Sequence, residues 1–214
     1  MTASDRQPLA NVAEHLRDDE IHVWRMAYRH AQGRAPLRRV LAAYLHRDAT
    51  EVVLVDGEHG RPALAAGHDR GIGFNWSHSG EHAVIAVGRH VTPGIDLERL
   101  RPRPRALDIA QRYFSADEAA LLAALPAADR SAAFLELWTA KEAVLKALGR
   151  GIGFGLHRLS IARVDAQLRL LRLEGDDARC WQLHPLAVGS ALLAALAWRG
   201  DTRRVRSYTL AGDG

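Results

Sequence analysis

The chain reads as an α+β protein, on three observations. Apolar residues recur at helical spacing over 36–46, where Leu37, Val40, Leu41, Tyr44 and Leu45 follow the i, i+3, i+4 rule, and a second helical stretch runs from about Ala128 to Leu148. Short apolar or β-branched runs closed by glycine and proline turns mark strands between and after these helices. Two of those runs echo each other. Gly80-Glu-His-Ala-Val-Ile-Ala-Val-Gly88 and Gly189-Ser-Ala-Leu-Leu-Ala-Ala-Leu-Ala197 both leave a glycine turn for a buried strand, which is compatible with two similar α+β halves.

Taken in order, residues 8–32 read as irregular to helical, and Pro36 opens the first clear helix from its first turn. Glu51 to Val55 is β-branched and reads as a strand, followed by a turn holding Gly57 and Gly60 and then Arg61-Pro62. Phe74 to Gly80 reads as a strand end passing into a polar loop, and His82 to Val87 as a buried strand. Pro93-Gly94 turns the chain into a short strand, Ile95 to Leu97. Arg99 to Arg105, with Pro102 and Pro104, is a natural connection, so the expected division is 1–98 and 99–214. Ser115-Ala-Asp-Glu118 has the form of a capping box opening a helix that should stop by Pro126. The long helix ends at the Gly149-Arg-Gly151 break, and strands are expected near 159–164, 168–173, 180–184 and 191–198.

Composition narrows the function. Of 214 residues, 48% are hydrophobic and 25% charged, the balance of a soluble globular protein. No apolar run is long enough to span a membrane, and the polar start lacks the apolar core of a secretion signal. A single cysteine, Cys180, excludes an internal disulfide and a cysteine metal cage, which fits a reduced cytoplasmic setting. The net charge of +4 favours an acidic partner. Nucleic acid is disfavoured, because aromatics make up only 6% and neither a stacking motif nor a basic run occurs. Of the 29 basic residues only Lys141 and Lys146 are lysines, so those two positions suggest a need for a compact ammonium.

The candidate chemistry lies in two segments. Asp96 and Glu98 alternate with Ile95 and Leu97 in Gly94-Ile-Asp-Leu-Glu98, so an extended strand puts both acids on one face, about 7 Å apart. Trp138, Glu142 and Lys146 share a helical face at i, i+4, i+8. Each pattern has a plain reading, a solvated strand face or a surface Glu–Lys pair. Its sharper reading places Glu142 opposite the two strand acids. Three carboxylates within roughly 5 Å would repel by about 3 kcal/mol per pair at an effective dielectric near 20. A bound cation relieves that repulsion, and an all-oxygen donor set suits magnesium. Spacing alone does not bring strand and helix together.

Four segments in order, Gly60-Arg-Pro62, Phe74-Asn-Trp-Ser-His-Ser79, Gly94-Ile-Asp-Leu-Glu98 and Trp138-Thr-Ala-Lys-Glu-Ala-Val-Leu-Lys146, resemble the Sfp-type (surfactin-synthetase-activating) 4'-phosphopantetheinyl transferases, in the branch written W-x-x-K-E-A. The likeness covers about residues 30 to 165. It implies the fold of that family, two pseudo-symmetric α/β halves with the active site in the cleft between them, in a monomer. It also implies transfer of phosphopantetheine from coenzyme A to a serine of an apo acyl or peptidyl carrier protein, releasing 3',5'-ADP. By the same resemblance Asp96, Glu98 and Glu142 would hold Mg2+, and Glu142 or a metal-bound water would take the serine proton. Lys146 would neutralise phosphate charge, and His78, Ser77, Arg34 and Arg61 would contact coenzyme A phosphates, with Arg61 replacing the lysine common in Gly-Lys-Pro. Arg17, His22, Arg25 and Arg29 are candidates for further phosphate contacts, and Trp76 is expected in the core. A pseudoenzyme that only binds coenzyme A and a metal-dependent pyrophosphate hydrolase are the competing readings. The first is opposed by the intact acids and Lys146, and the second differs in its acceptor.

Overall fold

A computed structural model describes residues 8–165 and 167–210 of the chain. A short helix α1 (Leu9–Ala13) leads into strand β1 (Glu20–Ala27), helix α2 (Ala35–Leu45), the small hairpin β2 (Leu54–Asp56) and β3 (Pro62–Leu64), and the long hairpin β4 (Ile72–Ser79) and β5 (His82–Arg89). The same order then recurs. Strand β6 (Gly94–Arg99) is followed by helices α3 (Ala106–Tyr113), α4 (Ala116–Ala124) and α5 (Ala127–Leu148), hairpin β7 (Leu159–Val164) and β8 (Gln167–Leu173), and hairpin β9 (Trp181–Leu186) and β10 (Leu192–Arg199). A last strand, β11 (Arg204–Thr209), closes the chain's described part.

Sheet order makes the repeat plain. One sheet runs β11-β1-β5-β4 and the other β6-β10-β9, so in each unit the last strand is laid between the first strand and its own hairpin partner. The echoed segments of the sequence are β5 and β10, the two middle strands. The repeat turns over at residues 90–93. Strand β6, which the division at 98 and 99 gives to the first half, pairs antiparallel with β10 in the second sheet. In return β11 crosses back to pair parallel with β1.

Three apolar clusters set the layers. Leu37, Val40 and Leu41 of α2 bury against Trp24, Met26, Ile85 and Val87 on one face of the first sheet. The opposite face, with Ile21, Val23, Val84 and Ala86, meets Ile95, Leu97, Leu196 and Trp198 of the second sheet. Beyond that sheet lie α3, α4 and α5, with Leu135, Ala143 and Val144 packed toward Ala195 and Ala197. The result is helix, sheet, sheet, helix, with the two main sheets covered on both faces. Among the described residues no helix is long and apolar enough to cross a membrane.

Several expectations are corrected. Residues 20–27 are strand rather than irregular or helical. Both faces of β1 are buried, and it carries buried Glu20 and His22, so no alternation of apolar and polar residues marks it. Glu20 is satisfied by Arg206 Nε at 2.9 Å and His22 Nδ1 by the Tyr44 hydroxyl at 2.9 Å. The strand expected over 51–55 begins only at Leu54, because Asp48 and Glu51 fold the preceding residues into a turn. There Thr50 N–H donates to Asp48 Oδ1 at 2.8 Å, and Asp48 N–H to Glu51 Oε2 at 3.2 Å. The stretch from Phe74 to Ser79 is strand throughout, rather than a strand end passing into a loop.

Elsewhere the signals hold. Ser115 caps α4 and Glu118 reaches back to the Ser115 N–H at 2.9 Å. Helix α5 ends at Gly149, whose φ of 74° is the left-handed conformation a helix C-terminus favours.

Candidate active site

The site forms where the edge strands β4 and β6 of the two sheets lie side by side under α5. The approach of α5 to β6 requires Gly94. A Cβ there would stand 2.1 Å from the Ala143 carbonyl oxygen and 2.2 Å from Ala147 N, so the helix backbone rests directly on the start of β6. Ile95 and Leu97 then turn into the core between the sheets, which sends Asp96 and Glu98 to the α5 side.

Helix α5 brings two of its residues to the same place. Glu142 and Lys146 line a cavity of about 560 Å³, together with Arg61, Asn75, Trp76 and His59. Lys146 Nζ donates to Asp96 Oδ1 at 2.7 Å and to the Ile95 carbonyl at 3.1 Å, which fixes strand to helix. Glu142 has a buried oxygen, Oε1, with no hydrogen-bond partner. Burial pushes its carboxyl up to about 7; the charges of Asp96 and Glu98 add to the rise and Lys146 opposes it.

Asp96 and Glu98 are each held on one oxygen. Asp96 Oδ1 also accepts from Ser77 Oγ at 2.8 Å. Glu98 Oε2 accepts from Ser79 Oγ at 3.1 Å and from Arg103 Nη2 at 3.3 Å. Among the described residues no three acidic, histidine or cysteine side chains converge closely enough to hold a metal. The ammonium of Lys146 stands on Asp96 instead. Asp96, Glu98 and Glu142 nevertheless offer the all-oxygen chemistry that a hard divalent cation takes, and Glu142 keeps one buried oxygen without a partner.

Arg61 enters from the opposite wall. Its guanidinium donates to the carbonyls of Phe74 at 2.9 Å, Pro93 at 3.1 Å and Lys146. No carboxylate among the described residues pairs with it, and burial lowers its pKa. A cation tied only to carbonyl dipoles at a cavity wall lacks its counter-anion.

Of the remaining expected residues, Trp76 lines this cavity and His78, Arg34, His22 and Arg25 do not. His78 points from the other face of β4, stacking on Tyr28 with centroids 4.8 Å apart. Burial, then His30, then Lys146 lower its pKa. Arg34, at the start of α2, pairs with Asp56. Trp76 is half-buried, packing edge-on against Tyr28 at 5.7 Å while also lining the cavity. His22 is buried beneath Tyr44, and Arg25 donates to the Val188 carbonyl at 3.0 Å. Lys141 is wholly buried, held by Glu118 at 2.7 Å and by the carbonyls of Leu156 at 2.9 Å and Leu159 at 2.7 Å. The two lysines thus serve differently, one as an internal strut and one at the cavity. Sequence reading passed over Asn75, Ser79 and Arg103. The first two follow the period of two from Ser77, whereas nothing in the linker singled out Arg103.

A profile of the ACPS 4'-phosphopantetheinyl transferase superfamily matches residues 92–197. The slr0495 protein of Synechocystis sp. is 35% identical over 150 residues, covering 70% of this chain and 61% of that protein. The 4'-phosphopantetheinyl transferase psf-1 of Bacillus pumilus is 41% identical over 107 residues, covering 50% of this chain and 45% of psf-1. Among solved structures, Thermotoga maritima holo-acyl-carrier-protein synthase (AcpS) aligns over 52% of this chain and 63% of that chain, with a TM-score of 0.42 and 20% identity. The 4'-phosphopantetheinyl transferase HetI of Nostoc sp. is 35% identical over 173 residues, 80% of this chain and 71% of HetI. With that identity over four-fifths of this chain and more than two thirds of HetI, the chain belongs to the 4'-phosphopantetheinyl transferase superfamily.

Proposed function

We propose that the chain transfers the 4'-phosphopantetheine group of coenzyme A to a serine of an apo acyl or peptidyl carrier protein, with Mg2+, releasing 3',5'-ADP. The observation that carries this reading is the pairing of opposites in one cleft. The unsatisfied carboxylate of Glu142 faces Asp96 and Glu98, and the cations Lys146 and Arg61 stand at the cavity wall. Asp96, Glu98 and Glu142 would hold the magnesium ion, which supplies charge neutralisation and alignment for a pyrophosphate.

The chain's own residues do the rest. Arg61 and Lys146 grip phosphate oxygens, Arg61 with the N–H groups that its three carbonyls leave over. In doing so Lys146 leaves Asp96 and meets the charge that develops on the leaving 3',5'-ADP. His78 and Arg34 flank the phosphates from the β4 and α2 side. Ser77 has its hydroxyl committed to Asp96. Glu142, whose Oε1 has no hydrogen-bond partner, is placed to accept the proton of the attacking serine. Both walls of the cleft come from one chain, in keeping with a monomer. The net charge of +4 suits an acidic carrier protein.

Chromatographic detection of 3',5'-ADP tests the reading. Release that requires coenzyme A, Mg2+ and an apo carrier protein together is expected. Release with water as the only acceptor would make the chain a hydrolase, and no release with any carrier would overturn the proposal.

A further inference from the structure

Strands β4 and β6 belong to different sheets, and side chains take the place of a main-chain ladder between them. From Asn75 on, every second residue of β4 takes part. Asn75 Oδ1 accepts from the Ile95 N–H at 2.8 Å, where a backbone carbonyl would stand in a continuous sheet. Ser77 Oγ donates to Asp96 Oδ1 at 2.8 Å. Ser79 Oγ donates to Glu98 Oε2 at 3.1 Å and accepts from the Arg99 N–H at 3.2 Å. The motif therefore divides by strand period. Phe74, Trp76 and His78 take one face, while Asn75, Ser77 and Ser79 form a polar zipper on the other.

From this geometry we infer that Ser77 and Ser79 are positioning residues, which orient the carboxylates of Asp96 and Glu98 toward a divalent cation. The inference rests on the magnesium reading above and goes beyond it, since neither serine touches the cation or the reacting atoms. Each hydroxyl has one proton to donate, and each spends it on a single carboxylate oxygen. Asp96 Oδ1 is shared by Ser77 and Lys146, and Glu98 Oε2 by Ser79 and Arg103. Among the described residues, Asp96 Oδ2 and Glu98 Oε1 have no hydrogen bond. One oxygen of each carboxylate is pinned, and the other is left for the cation. Ser77 is buried, so water does not replace its hydroxyl when it is removed. Loss of an outer partner that orients a metal ligand typically weakens metal affinity by about 10- to 100-fold.

Mn2+ alone is the probe, followed by the loss of its free-ion electron paramagnetic resonance signal on titration with the full chain, without coenzyme A or carrier protein. Ser77→Ala and Ser79→Ala are each expected to weaken Mn2+ binding by about 10- to 100-fold. Ser77→Thr keeps the hydroxyl on a strand-favouring residue and should restore affinity to within about threefold of the parent. Asp96→Asn serves as the ligand control. A role limited to joining the sheets predicts lower melting temperatures in EDTA with unchanged Mn2+ affinity, and that result would overturn the assignment. Should Ser77→Ala not fold, Ser77→Thr and the half-buried Ser79→Ala carry the test. A parent chain that binds no Mn2+ would defeat the magnesium reading and this inference with it, whereas binding by the parent with undiminished serine variants defeats only the inference.

Discussion

Glu142 carries a carboxyl raised to about 7, chiefly by burial, so the folded chain holds a proton there that the unfolded chain releases near 4.5. Stability in EDTA should therefore be full below about pH 4.5 and fall by about 3 kcal/mol as pH rises from there to about 7. Glu142→Gln should remove that fall, matching the parent at low pH and melting higher than it at pH 8. Parallel melting curves across the range would show that Glu142 is not the strained group. Arg61 yields a second prediction at this scale. Arg61→Met should weaken coenzyme A binding at least about tenfold in calorimetry, since bidentate phosphate contacts are lost. Unchanged affinity would leave Arg61 as a tie between carbonyls alone. The acids and Lys146 were legible because strand and helix periods fix which side chains share a face. Their partners were not, because reading Phe74 to Gly80 as a strand end passing into a polar loop hid how far the alternation runs that carries Asn75, Ser77 and Ser79 to β6.

Helix α5 sits where it does because of one absent side chain and one buried ion pair. Gly94→Ala would drive a Cβ into the Ala143 carbonyl, 2.1 Å away, and should destabilise the fold by about 3 kcal/mol or more. Chemical denaturation would check this, and a loss below about 1 kcal/mol would contradict the packing. Lys141→Ala should cost about 3–5 kcal/mol, since it strands the buried Glu118 that also accepts from the Ile161 N–H at 2.8 Å. Local signals marked α2, α4 and α5, with their caps and glycine stop. β1 and β11 escaped notice because their pairing is long-range and parallel, and because buried polar residues break the apolar pattern of β1.

The whole molecule is a repeated strand–helix–hairpin–hairpin unit whose two sheets pack face to face. The site falls at their meeting edges, where each unit supplies one wall. The echo between β5 and β10 gave a faint trace of this repeat in the sequence. The crossing of β11 back to β1 had none, since no local residue pattern encodes which distant strand it joins. Charge also acts at this scale. With a net +4, apparent affinity for an acidic carrier protein should fall as salt rises from about 50 to 300 mM, through slower association. An unchanged KM for the carrier would argue against electrostatic steering.

The most direct test of the central claim is the intact mass of an apo carrier protein after incubation with the chain, coenzyme A and Mg2+. A gain of about 340 Da, the phosphopantetheinyl group, is predicted for the parent and should vanish with EDTA and with Glu142→Ala. A carrier protein left at its starting mass by a folded chain that binds coenzyme A would contradict the account.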